Sequence, residues 1–63
     1  MIVAPRRGMR VQVWYAKPRR DFMPHHGAVG VVLVSGRGKP RNHLIMVNGL
    51  RVVVPCGNIR LPI

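Results

Sequence analysis

Two short apolar segments flank the dipeptide Asn48-Gly49 near the end of the chain. Asn-Gly tolerates the positive φ angles that a type I′ turn requires at both central positions, and this turn matches the twist of paired strands. We therefore predict an antiparallel hairpin made of strands 43–47 and 50–54. Because the turn has only two residues, it also fixes the register of the pair.

That register decides which side chains share a face, since directly paired residues project to the same side of a sheet. One face is entirely apolar and is the predicted core face, with Ile45, Val47, Leu50, Val52 and Val54. The opposite face carries Leu44, Met46 and Val53 around Arg51. Three neighbouring apolar side chains on an outer face favour a self-association patch. The alternative is that the first loop covers them.

Three further segments have strand patterns. Residues 9–15 alternate strictly, which predicts a half-buried strand with Met9, Val11, Val13 and Tyr15 facing the core. Residues 28–34 are almost continuously apolar, and Gly30 within them indicates a bulge or a sharp bend. Pro55 should end the fourth strand, and one helical turn should precede a short last strand at 59–61. The predicted fold is all-β, with five strands and no long helix.

Trp14 falls on the outer side of the first strand, beside Arg10 and Gln12. An aromatic ring between cations is a stacking platform for nucleic-acid bases. Large aromatic side chains are also usually mostly buried, so Trp14 could instead cap the end of the barrel under the next loop. The basic first loop, 16–27, contains Phe22 and Met23, which we expect to anchor it to the core.

The order of these loops resembles the SH3-like barrel over nearly the whole chain: a long first loop, a medium second loop, a two-residue turn and a helical turn before strand five. The ending Val52-Val53-Val54-Pro55-Cys56-Gly57-Asn58-Ile59 is similar to the end of that barrel. Gly27, Gly30 and Val31 resemble the glycine-containing unit that opens the second strand of KOW-type barrels. The resemblance implies one small barrel domain at 9–63, after a short basic arm at 1–8.

The net charge of the chain narrows the classes of molecule that we expect it to bind. Eleven Lys and Arg residues, nine of them Arg, face the single acid Asp21, for a net charge of +10. Such a chain concentrates polyanions around it, and nucleic acid is the commonest cellular polyanion. Solubility alone would need a net charge of only about 2–8 in a small domain. The KOW-type resemblance implies the same partner, RNA or DNA.

We therefore expect a non-enzymatic module that binds nucleic acid, with RNA favoured over DNA. No base-reading helix is predicted, so recognition should rely on the backbone and on shape. Trp14 would stack on bases. The cations expected to contact phosphates are Arg6, Arg7, Arg10, Lys17, Arg19, Arg20, Arg37, Lys39, Arg41 and Arg51. The alternative is an oligomeric structural or regulatory protein, of viral or other origin, that binds a protein partner through Leu44, Met46 and Val53.

Catalytic and metal chemistry find little support in the sequence. One acid excludes a pair of catalytic carboxylates, and adjacent His25 and His26 on an extended chain point in opposite directions. We expect no metal, no cofactor and no small-molecule substrate. Type II dihydrofolate reductases are tetrameric barrels of this size with Val-Gln-Ile-Tyr-Pro on the fourth strand. Here residues 51–55 lack its Gln and Tyr, so that activity is not expected.

The expected setting is cytoplasmic. The chain has no run of 18 apolar residues that could span a membrane, and its first residues lack the apolar core of a signal peptide. Cys56 is the single cysteine, which rules out a disulfide within the chain and fits a reducing compartment.

Overall fold

The computed structural model describes residues 2, 4–39 and 41–62. Five antiparallel strands form one sheet in the order β4-β3-β2-β1-β5. The sheet curls into a half-barrel, which confirms the predicted all-β fold and is consistent with a small SH3-like barrel. The strands are β1 Arg10–Val13, β2 Val29–Val34, β3 Asn42–Val47, β4 Leu50–Pro55 and β5 Ile59–Arg60. Two 3-10 turns, Arg19–Asp21 and Cys56–Asn58, are the helical elements of the described chain.

The hairpin of β3 and β4 has the predicted register. Val47 pairs with Leu50, and the ladder runs without interruption to Asn42 opposite Pro55. At the turn, Asn48 and Gly49 both have positive φ, 49° and 78°. Pro55 is the last residue of β4 rather than the first residue beyond it. It is tolerated there because β4 is an edge strand, where a missing N–H interrupts no second ladder.

The core lies on the concave side of the sheet. Its fully buried members come from all five strands and are Val11, Val13, Val32, Ile45, Val47, Val54 and Ile59. Tyr15, just beyond β1, is buried with them. His43 is also fully buried, at the start of the core face of β3. Its Nδ1 accepts a hydrogen bond of 2.8 Å from the Gly36 N–H. The imidazole therefore ties the second basic loop to the core.

Gly30 allows β2 and β3 to approach closely. A Cβ atom on Gly30 would lie 2.5 Å from the Met46 carbonyl oxygen and 2.8 Å from a methyl group of Val47. The irregularity in the pairing of β2 with β3 lies further along, between Val32 and Val34. Gly30 is thus required by packing, while the bulge occurs at Leu33.

Two predicted core residues are exposed. Leu50 is 56% exposed and Phe22 is 83% exposed. Leu50 begins the edge strand β4 directly after the turn, where only one neighbouring strand can cover it. Phe22 ends the 3-10 turn of the first loop, and only the next residue, Met23, turns inward to pack against the core. Met23 alone therefore anchors that loop as predicted.

The N-terminal arm contacts the half-barrel at three described points. Pro5 is buried, Ile2 packs against the core, and the Gly8 N–H donates to the carbonyl of Val32 at 2.7 Å. Four residues of the chain lie outside the described residues. Met1 and Val3 belong to the expected arm at 1–8, and Pro40 and Ile63 belong to the expected barrel domain.

Candidate nucleic-acid interface

The convex face of the sheet carries a row of four side chains with an arginine at each end. Arg10 on β1 is opposite Val31 on β2, Val31 is opposite Met46 on β3, and Met46 is opposite Arg51 on β4. Neighbouring strands are spaced at about 4.8 Å, so the Cα atoms of the two arginines are separated by about 14 Å. Both arginines are exposed. The row therefore presents two separate cations with an apolar strip between them.

A second row on the same face is wholly apolar. Val34 pairs with Leu44, and Leu44 pairs with Val53. Val34 and Val53 are 56% and 65% exposed, whereas Leu44 and Met46 are half-buried. The residues predicted for self-association thus lie side by side on one exposed face. The described residues of the first loop instead lie near Trp14 and β1, where Met23 meets the core.

Trp14 lies at one end of this face and is half-buried among cationic and imidazole groups. The guanidinium carbon of Arg60 is 3.4 Å from the centroid of the indole ring, and that of Arg20 is 5.0 Å from it. The His26 ring is tilted against the indole with its centroid 4.5 Å away. Because β1 lies between β2 and β5, Arg60 comes from the β5 side, and Arg20 and His26 come from the loop that leads into β2. The ring therefore contacts groups from β5 and from the first loop.

A chain of hydrogen bonds holds Arg60 on the indole. The Arg60 Nε–H donates to the Gln12 Oε1 at 2.8 Å, and the Gln12 Nε2 donates to the Gly27 carbonyl at 2.9 Å. These two bonds fix the orientation of the Gln12 amide, since its oxygen and its nitrogen each have one partner. The terminal N–H groups of the Arg60 guanidinium have no acceptor among the described residues.

The first loop is fastened to the end of β1. The Tyr15 N–H donates to the His26 Nδ1 at 3.0 Å, and the Gly27 N–H donates to the Val13 carbonyl at 2.7 Å. Arg20 lies in the 3-10 turn of this loop and is half-buried. Within the described chain, its Nε is enclosed without a hydrogen-bond partner.

The other predicted cations lie at the surface. Lys17 and Arg19 are exposed on the first loop, and Arg37 and Lys39 are exposed on the second. The side chain of Arg41 is exposed too, while its carbonyl accepts a hydrogen bond of 2.9 Å from the Cys56 N–H. Arg6 and Arg7 are exposed on the arm. The structure thus places Arg20 beside Trp14 and Arg10 in one row with Arg51, and it leaves the second basic loop as a separate group.

The sequence analysis placed Gln12 beside Trp14 but missed Arg60 and His26 as neighbours of the ring. One indication was available, because pairing of the last strand with the first would place Arg60 beside the outer side chains of β1. The register that does so, Gln12 opposite Arg60, depends on the length of the turn at Cys56–Asn58. The approach of His26 depends on its loop, where His25 has a φ of 65°.

Within the described residues there is no cluster of three or more potential metal ligands, and no surface pocket. None of the described helices has the length and apolar character needed to cross a bilayer. Comparisons with models of known protein families, with curated proteins and with solved structures find no match for this chain.

Proposed function

We propose that this protein is a non-enzymatic RNA-binding module that contacts the phosphate backbone through arginines. The observation that carries the proposal is the arrangement of Arg10, Arg51 and Arg60 around one exposed sheet face that has Trp14 at its end. Asp21, the single acid of the chain, is on the first loop rather than on this face. No acidic side chain therefore neutralises this face, which favours the binding of a polyanion.

Two features support single-stranded RNA over duplex DNA. The described chain offers only 3-10 turns of three residues, which are too short to read bases in a major groove as recognition helices do. Single-stranded RNA is recognised in part by stacking of its splayed bases on guanidinium planes, and the Arg60 guanidinium that covers the Trp14 ring supplies such a plane. The resemblance to KOW-type barrels supports nucleic acid, RNA or DNA, as the partner. A cytoplasmic location completes the proposal, since the thiol of Cys56 stays reduced there.

The test is a binding panel at one fixed salt concentration. Fluorescently labelled single-stranded RNA, single-stranded DNA and duplex DNA of equal length are titrated with the protein, and polyglutamate serves as a competitor without bases or phosphates. We expect RNA to bind most tightly and polyglutamate to compete poorly. Equal binding to every polyanion would mean that the positive residues form a solvated surface that attracts any negative charge alike. That result would contradict the proposal.

A second candidate function, assembly into an oligomer, is favoured by the apolar row Val34, Leu44 and Val53 on the same face. Burial of one such side chain stabilises a contact by about 1.5–3 kcal/mol, so a few of them can hold a dimer together. Two copies would also double the phosphate contacts and raise the affinity for one RNA strand through avidity. The arginines at the ends of the neighbouring row would limit this association in the absence of RNA.

A further inference from the structure

Two guanidinium groups converge on Trp14, and within the described chain neither is paired with an acid. Arg20 and Arg60 both lie within 5.0 Å of the centroid of the same indole ring. Asp21 follows Arg20 directly but is exposed, and no described hydrogen bond joins it to either arginine. An anion that contacts both guanidinium groups would be attracted by two positive charges at once.

We infer that Arg20 and Arg60, arranged around Trp14, form a site for one phosphate group, in which Arg60 is already held in place. This inference rests on the proposed function, because the phosphate it takes is a phosphodiester of the bound RNA. It goes further by assigning one phosphate to one place in the fold. The remaining cations then act as a diffuse field around this fixed contact.

Arg60 is held in place before any ligand arrives. Its planar guanidinium lies on the indole at 3.4 Å, and its Nε–H is already bonded to Gln12. An arginine ordered in this way loses little side-chain entropy on binding, which raises affinity. The terminal N–H groups that remain form the fork whose geometry suits two oxygens of a phosphate. Lysine could not replace it, since an ammonium group neither stacks in this way nor donates in parallel.

Arg20 supplies the second cation from the 3-10 turn of the first loop. Its Nε is enclosed without a hydrogen-bond partner in the described chain, which is a costly arrangement for a charged donor. A small movement of the loop as the phosphate binds would let this donor pair with a phosphate oxygen. His26 packs against the same ring and accepts a hydrogen bond from the Tyr15 N–H, so it acts as a support for the indole.

The first test compares Arg60→Lys with the matched control Arg51→Lys. Both changes preserve the net charge, and Arg51 is an exposed arginine of the same face. We expect Arg60→Lys to weaken RNA binding about tenfold, the size of one lost hydrogen bond to a charged group. Arg51→Lys should weaken RNA binding by less than Arg60→Lys does, because Arg51 is an exposed point charge and lysine retains that charge. Thermal melts check that both variants are folded. Equal affinities of the two folded variants would overturn the inference.

The second test needs no substitution, so a folding defect cannot confuse it. Inorganic phosphate is titrated into the ¹⁵N-labelled parent protein at constant ionic strength, with chloride as the reference anion. The side-chain Nε–H of Arg60 and the indole N–H of Trp14 should shift at lower phosphate concentrations than the backbone signals of Arg37 and Lys39. Shifts confined to the second loop would overturn the inference.

The two tests separate this inference from the proposed function. A parent protein that binds no RNA refutes the proposed function, while the phosphate titration still examines the site. Strong RNA binding with identical Arg60→Lys and Arg51→Lys variants refutes the site and leaves the RNA-binding function standing. Phosphate shifts at Arg60 together with RNA affinity unchanged in Arg60→Lys would mean that the site takes free phosphate only, which also contradicts the phosphodiester assignment.

Discussion

Replacing Gly30 by alanine should destabilise the half-barrel more than a change of one methyl group ordinarily does. The added Cβ would lie 2.5 Å from the Met46 carbonyl oxygen, 2.7 Å from a methyl group of Ile45 and 2.8 Å from one of Val47. Ordinary van der Waals contact begins at 3.4 Å. β3 must therefore move away from β2 by about 1 Å, and overpacking of this kind costs about 1–3 kcal/mol.

Two opposing effects determine the net change in the free energy of unfolding. An alanine restricts the unfolded chain more than a glycine does, and this stabilises the folded state by about 0.4–1 kcal/mol. The close contact to Met46 involves a backbone oxygen, which cannot rotate away, so the steric cost should be near the upper end of its range. We expect a net loss of about 2 kcal/mol, which lowers the Tm of a domain of this size by about 8–16 °C.

The assay is thermal unfolding followed by circular dichroism, with Gly27→Ala as the matched control. Gly27 has a φ of 82°, and a Cβ there would meet nothing within 4 Å. Its substitution therefore costs only the dihedral strain of about 1–2 kcal/mol, less the same entropic gain. Gly30→Ala should thus melt below Gly27→Ala, and both should melt below the parent. A Gly30→Ala protein that melts with the parent would refute the close packing of β2 against β3.

Three further outcomes are expected. Gly49→Val should lower the Tm by about 5–15 °C through dihedral strain alone, since Gly49 has a φ of 78° with open space around its Cβ, and coincident melts would show that the turn is misplaced. Changing Arg37, Lys39 and Arg41 to Glu should weaken binding to all RNA sequences alike, measured by anisotropy, and a loss restricted to some sequences would contradict phosphate contact. Met46→Glu should convert a weak homo-oligomer to a folded monomer in sedimentation experiments. A parent protein that is monomeric at high concentration would exclude assembly, and a variant that unfolds would place Met46 in the core.

The hairpin was predictable because its determinants are local. Asn48-Gly49 fixes the turn, the turn fixes the register, and the register fixes the faces, so Leu44 and Met46 were placed on the outer face without knowledge of any other strand. The prediction for Leu50 was wrong because burial also depends on what lies opposite. At the tip of the edge strand β4 no further strand covers that side chain, and alternation alone does not contain this information.

The Trp14 site was only half predictable for a related reason. Alternation placed Trp14 on the outer side of β1 with a cation beside it, but the residues that flank the ring come from distant parts of the chain. Arg60 reaches it through the pairing of β5 with β1, and His26 and Arg20 reach it through the irregular first loop. Irregular loops have no period from which the direction of a side chain can be deduced. His43 alternates with Ile45 and Val47 and so lies on the core face, but it was missed as a core residue because a polar side chain is buried only where it has a hydrogen-bond partner, here the Gly36 N–H.

The most direct test of the account is the salt dependence of binding to single-stranded RNA. The dissociation constant of the parent protein is measured at several salt concentrations between 50 and 200 mM, an interval in which phosphate contacts lose affinity steeply. With four arginines or lysines on phosphates, we expect a slope of log Kobs against log salt of about −2.8, which is a loss of about 50-fold over that interval. An affinity that stays constant over the same interval would contradict the claim that this protein binds RNA through its phosphate backbone.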